Sequence, residues 1–281
     1  SGSEWDIIVA IGFQSNEPIC DVAARFPDQK YMLLDSQVDY SDGKNANVYS
    51  ADYKGNEGAF LAGALAAMVT TSEEMPHADA SKKMIGFVGG MDMTLINDFV
   101  LGYIQGAHYI DPEITITTAY TASWTDAAKG KEIGKTMFNA GCDVVYNGAG
   151  GAGLGVLDAG KEAQRYSIGT DSDQSLLFED DQEKANLILT SQLKSLDQNI
   201  LQVVERYMNG EEVFGKGENL GVKEGIICLS ENEYYLKNVP ETMRSAIKDL
   251  EAKILSGEIV VDTAYGKDEA EVKDIINNAR P

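Results

Sequence analysis

The sequence predicts an α/β protein with parallel sheets arranged in two lobes. Three observations carry that prediction: strand-like runs alternate with helical patterns, one segment shows a complete strand, glycine loop, helix and strand, and a polar stretch breaks the alternation. With 281 residues, 43% of them hydrophobic, the chain is long enough to bury a core in each lobe.

Residues 7–11 (IIVAI) and 31–34 (YMLL) open the order as strands. Residues 57–69, EGAFLAGALAAMV, form a helix with small residues on several faces, which suits burial and close packing through Gly58 and Gly63. Segment 70–83, TTSEEMPHADASKK, has Pro76 and no hydrophobic period, and reads as the first crossover between lobes. A strand at 84–88 restarts the alternation. In the helix at 98–110, Phe99, Val100, Tyr103, Ile104 and Ala107 fall on one face. Strands follow at 114–120, 144–146, 167–169 and 187–189, then a helix at 196–208, a glycine-rich polar stretch at 210–225 and a strand at 226–229. Two helices end the chain, the first opened by Pro240 and closed by Gly257 at its C′ position. Lobe 1 is thus expected to take residues 1–80 with 195–225, and lobe 2 residues 82–194 with 226–281, with a ligand enclosed by hinge closure.

Forty-five acidic residues stand against 23 basic ones, a net charge of −22 that would repel a phosphate backbone or an anionic membrane. Cys20, Cys142 and Cys228 are widely spaced and odd in number, so they read as buried free thiols rather than a disulfide framework or a metal site. Only two histidines occur, His77 in the polar segment and His108 on a packing helix, and no Ser/His/Asp, Cys/His or HExxH arrangement is present. No enzyme activity, metal or cofactor is expected. No run of 18 apolar residues marks a membrane span, and residues 1–13 have no basic region of an export signal.

Residues 143–174 carry the densest functional signal. A short strand, the loop Gly148 to Gly153, a helix at 154–164 and a strand ending in Asp171 and Asp173 put glycines and acids at the carboxyl edge of a sheet, where open α/β proteins bind ligands. Gly148, Gly150 and Gly153 satisfy G-x-G-x-x-G with Asp171 about 20 residues on, so a dinucleotide site of an NAD-dependent oxidoreductase is one reading. The other is a small polar ligand approached by backbone amides and held through its hydroxyls by a carboxylate. Loops at Gly12 to Gln14, Asp35–Ser36 and Gly89 to Asp92 fall at other strand ends. Phe13 and Trp124 suit stacking on a planar ring, or equally a core place and a loop edge. Asp171 suits a ligand hydroxyl pair, or a helix N-cap. Asp171 and Asp173 together allow acid/base work only if they converge. Lys194 suits a partner of a carboxylate or a solvated surface.

The succession DIIVAIGF, YMLLDS, NEGAFLAGALAA, IGFVGGMD with FVLGYIQG, DAAKGKE, GCDVVYNGAGGAGLGV, SIGTDSDQ and TSQLKSLDQ resembles the basic membrane protein family of ABC-transporter solute-binding lipoproteins, which includes purine nucleoside receptors. The likeness runs from about Asp6 to about Asp262. It implies a type I periplasmic-binding fold with two Rossmann-like lobes and a hinge, and a nucleoside, with a purine base, held between them for a membrane ABC permease. It further implies an extracytoplasmic lipoprotein that is monomeric when complete. Carried onto this sequence, Asp171 would hold ribose, Lys194 would lie near it and Gly150 would line the site, with Phe13, Asp92, Trp124 and Asp173 added by loop position. Members of the family begin with a βαβα block ahead of the strand at Ile7–Ile11, and that block has no counterpart here. The first lobe is therefore expected to be incomplete, with an unpaired edge beside that strand. A ligand-sensing domain for a receptor would share the same fold.

Overall fold

The computed structural model describes residues 5–281, in which ten strands and ten α-helices alternate. Contacts between backbone segments divide the chain into two units. The first unit opens with β1 (Ile7–Ile11), α1 (Asn16–Arg25), β2 (Lys30–Leu34) and β3 (Val48–Tyr53). At Gly55 the chain enters the second unit through α2 (Gly55–Thr70), β4 (Met84–Gly89), α3 (Thr94–Ile110), β5 (Thr115–Tyr120) and α4 (Ala127–Ala140). It continues there through β6 (Val144–Gly148), α5 (Leu154–Ala163), β7 (Tyr166–Asp171), α6 (Gln182–Leu187) and β8 (Ile188–Lys194). Ser195–Ile226 return to the first unit as α7 (Leu196–Met208) and β9 (Lys216–Leu220). The chain ends in the second unit with β10 (Ile227–Leu229), α8 (Glu233–Asn238), α9 (Glu241–Ser256) and α10 (Glu269–Asn278).

In the first unit the strand order is β1-β2-β3-β9, parallel throughout. One face packs on α1 through Ile19, Ala23, Tyr31, Leu33 and Val48. Polar groups fix α7 to β3. Tyr53 Oη donates to Asn199 Oδ1 at 2.9 Å, Asn199 Nδ2 donates to Tyr49 Oη at 3.0 Å, and Tyr49 Oη donates to Glu218 of β9 at 2.8 Å. The strands β3 and β9 are absent from the sequence expectation. Their sequences, VYSADY and KGENL, mix polar with apolar residues, and β9 sits within the stretch read as polar loop. What makes β9 a strand is its ladder to β3, a long-range partner that no local pattern reveals. At the other end of the sheet β1 is an edge strand, with Ile8, Val9 and Ile11 exposed.

The second unit has the order β10-β8-β7-β6-β4-β5, parallel except for β10. Order reverses between β4 and β6, because the chain goes from β4 outward to β5 and then back across to β6. Such a switch point opens a crevice at the carboxyl ends of the strands.

The helix α2 belongs to this second unit, so the crossing lies at Lys54 to Gly55 and not in segment 70–83. The physical reason is close helix packing. A Cβ on Gly63 would stand 2.1 Å from the Tyr103 carbonyl oxygen, and one on Gly106 would stand 1.9 Å from that of Phe60, so α2 and α3 touch backbone to backbone. The polar segment then runs within the unit and is pinned to the start of β6. Buried Asp143 accepts the Thr70 hydroxyl at 2.7 Å and the Asp79 amide at 2.9 Å. All three cysteines are free; Cys142 is buried, whereas Cys20 and Cys228 are only partly so. His108 Nε2 lies 3.0 Å from the Ile114 carbonyl, a satisfied packing histidine. A short helix, α8, precedes the two helices expected after β10, and Gly257 caps α9 in the left-handed conformation.

Candidate functional site

Four parallel strands of the second unit deliver their carboxyl ends to one edge: β4 at Gly89, β6 at Gly148, β7 at Asp171 and β8 at Lys194. The loops after β4 and β6 are joined where Gly90 N donates to Gly148 O at 3.0 Å. From the loop after β5, Trp124 reaches over both. Its carbonyl accepts the Ala152 amide at 3.0 Å, and its ring lies so near Gly90 that a Cβ there would stand 2.3 Å from Cζ3. Gly150 has φ +57, a backbone that favours glycine, and it too borders the Trp124 ring. Gly90, Trp124 and Gly150 thus form one patch at the switch point.

Further along the same edge, Asp171 ends β7 with φ +64, a left-handed conformation rarely adopted by a residue with a side chain. Lys194 Nζ lies 3.3 Å from Asp171 Oδ1. The lysine side chain is 16% exposed and the aspartate 53%, so the cation is recessed and the carboxylate faces outward. Left-handed strain on an acid at a strand end is a pattern associated with ligand-handling sites.

Two other acids behave differently. Asp173 accepts from Ser175 Oγ at 2.8 Å through one oxygen and from Asn232 Nδ2 at 2.7 Å through the other, so it fastens the turn after β7 to the residue that caps α8. Asp92 is exposed, and Oδ1 accepts from Asn97 Nδ2 at 2.9 Å; Asn97 in turn accepts from Tyr120 Oη at 2.5 Å. That relay draws Asp92 towards the edge strand β5. Phe13 belongs to the first unit, 52% exposed just beyond β1.

Several residues at these strand ends escaped the sequence reading. Buried Asn147 donates to Gln174 Oε1 at 2.7 Å, and Gln174 N donates to Ser191 Oγ at 3.0 Å, tying the ends of β6, β7 and β8 together. In the first unit Asp35 follows β2 with φ +67, nearly the backbone of Asp171. The sequence places Asp35 in a strand-end loop, directly after an apolar strand, the same placement that singles out Asp171; what it does not reveal is the matching backbone.

The glycine fingerprint has a different cause from a pyrophosphate cradle. A Cβ on Gly148 would stand 2.8 Å from the Phe87 ring, and one on Gly153 would overlap Asn147 Oδ1 at 1.4 Å. Both glycines answer to internal packing, so the spacing that suggested a dinucleotide is met without one.

Comparison with known proteins gives a consistent answer. The family described as ABC transporter substrate-binding protein, PnrA-like, matches residues 2–264. The ABC transporter nucleoside-binding protein BmpA of Lactococcus lactis is 31% identical, over 92% of this chain and 71% of that protein. Basic membrane protein A of Borreliella burgdorferi is 28% identical, over 96% and 75%. A solved ABC transporter solute-binding protein from Aeropyrum pernix superposes with a TM-score of 0.77 at 27% identity, over 98% of this chain and 81% of that one.

Proposed function

This chain belongs to the family of PnrA-like ABC transporter substrate-binding proteins, and from that premise we propose that it captures a nucleoside with a purine base. It delivers the ligand unchanged to a membrane permease, working outside the cytoplasm as a lipid-anchored protein in its full-length form. No helix among the described residues is long and apolar enough to cross a membrane.

The observation that carries the ligand reading is the recessed Lys194 beside the outward, left-handed Asp171. A carboxylate held at a fixed angle accepts two hydroxyl hydrogen bonds, as a ribose 2′,3′-diol offers, and a neighbouring ammonium donates to a third oxygen. Trp124 across Gly90 supplies a flat apolar surface for a base, with Gly150 leaving the backbone open beside it. The nucleoside-binding protein at 31% identity supports the same ligand class. Asp92 and Asp173 act here by shaping the neighbouring loops.

Calorimetry with a panel of purine and pyrimidine nucleosides and free sugars tests the proposal. Purine nucleosides should bind, and Asp171→Ala should weaken them by about 1–3 kcal/mol, the loss of a desolvated charged acceptor. Silence towards every nucleoside removes the ligand assignment, whereas unchanged affinity in Asp171→Ala removes that residue from it.

A further inference from the structure

We infer that Gly90 is the seat that fixes the Trp124 indole as a base-stacking platform, which makes Gly90 a positioning residue for the aromatic part of the ligand. The inference rests on the nucleoside reading and deepens it at the same edge. Trp124 is carried on the loop between β5 and α4, yet its six-membered ring lies against Gly90 in the loop after β4. A Cβ on Gly90 would stand 2.3 Å from Cζ3, 2.4 Å from Cε3 and 3.0 Å from Cη2. Those separations are far inside van der Waals contact, so a side chain at position 90 and the indole in its present place exclude each other.

The backbone gives no separate reason for glycine there. Gly90 lies outside the left-handed region, so alanine meets no torsional penalty and acts only through the ring. A second glycine borders the same ring. A Cβ on Gly150 would be 3.6 Å from Cε3, and the Trp124 carbonyl accepts the Ala152 amide, so the loop after β6 holds the residue by its main chain. The Thr121 amide closes the arrangement by donating to the Gly89 carbonyl at 2.8 Å, linking the Trp124 loop to the strand end beside its seat. Trp124 is half-buried, which leaves part of a rigid ring available. A ring immobilised before binding stacks on a base without the ordering cost that a mobile side chain incurs.

The protein contains two tryptophans, so Trp5→Phe leaves Trp124 as the only indole emitter. In that background inosine, guanosine and adenosine are titrated by calorimetry for Gly90→Ala, Trp124→Ala and the double variant, with indole emission read in the parent and in Gly90→Ala and thermal unfolding of each recorded. Gly90→Ala should shift the indole emission without ligand and weaken the purine nucleosides by about tenfold, within the range of a lost base–aromatic stack. Trp124→Ala should weaken them as much, and adding Gly90→Ala to it should cost nothing further, because both changes remove one interaction. Additive losses, or parental affinity in Gly90→Ala, overturn the seat. A Trp5→Phe parent that folds but binds no nucleoside is the failure of the ligand reading, and the platform falls with it.

Discussion

Among single residues, the acids show how one side-chain type is put to different uses by its surroundings. Asp171 turns outward on a strained backbone beside a recessed lysine, whereas Asp98 on α3 is buried and wholly internal. Asp98 Oδ1 accepts the Thr263 hydroxyl at 2.5 Å and the Ala264 amide at 2.8 Å, fastening the segment after α9 onto the second unit. Burial pushes its carboxyl above the usual range, opposed by those hydrogen bonds, so the charge itself contributes little that a neutral acceptor would not. The Asn56 amide is a third donor to this carboxylate, so Asp98→Asn, which keeps one carbonyl oxygen for Thr263 and Ala264 but loses the second acceptor, should cost less than Asp98→Ala, which strands all three donors and should cost about 1–3 kcal/mol. Urea unfolding of the two variants decides this; equal losses would show that the charge, not acceptance, matters. The sequence made Asp171 legible because an acid closed an apolar strand, and left Asp35 as part of a loop although it occupies the same kind of position. It could not separate Asp173 from Asp171, since their difference lies in Asn232, a partner about 60 residues away.

At the level of elements, whatever was written in local periodicity was legible and whatever depended on a distant partner was not. The helix α2 could be recognised by its small residues, but only the backbone approach to α3 shows which unit it joins. The strands β3 and β9 lack a clean alternation and owe their form to each other. Pairs of helices likewise carry charge arrangements that only the fold reveals. Lys131 and Lys135, one turn apart on α4, both reach Glu162 on α5, at 2.5 and 2.6 Å. Hydrogen bonds from the two ammonium groups hold the Glu162 carboxyl down to about 2, below its usual 4.5. A carboxyl depressed in the folded state stabilises it fully above the unfolded value and loses that stabilisation as pH falls from about 4.5 towards 2. Glu162→Gln should therefore flatten the fall in thermal midpoint across that window, and near neutral pH its effect should shrink with added salt, as expected for an exposed pair. A pH profile parallel to the parent's would show that the clamp contributes nothing.

Across the whole molecule, surface and charge oppose each other. Of the large hydrophobic side chains left exposed, nine belong to the first unit and eight to the much longer second one. In the first unit they cluster by sequence at β1: Trp5, Ile8, Val9, Ile11 and Phe13, along a strand whose outer edge carries no neighbour among the described residues. An apolar parallel edge of this kind is a template for pairing with another chain, and Ala10 is the residue of β1 that packs with the α1 core. Against association stands the net charge of −22, which makes any two copies repel at low ionic strength. Salt shortens the range of that repulsion to about 8 Å at physiological strength while leaving the apolar edge unchanged, so association should rise with salt. Val9→Lys places a charge on the edge and should suppress the salt-induced association while leaving nucleoside affinity as in the parent. Sedimentation velocity over a range of protein and salt concentrations, with calorimetry on both proteins, measures the two effects separately. If association falls with salt, or is untouched by Val9→Lys, the edge strand is not its seat and the charged surface governs instead.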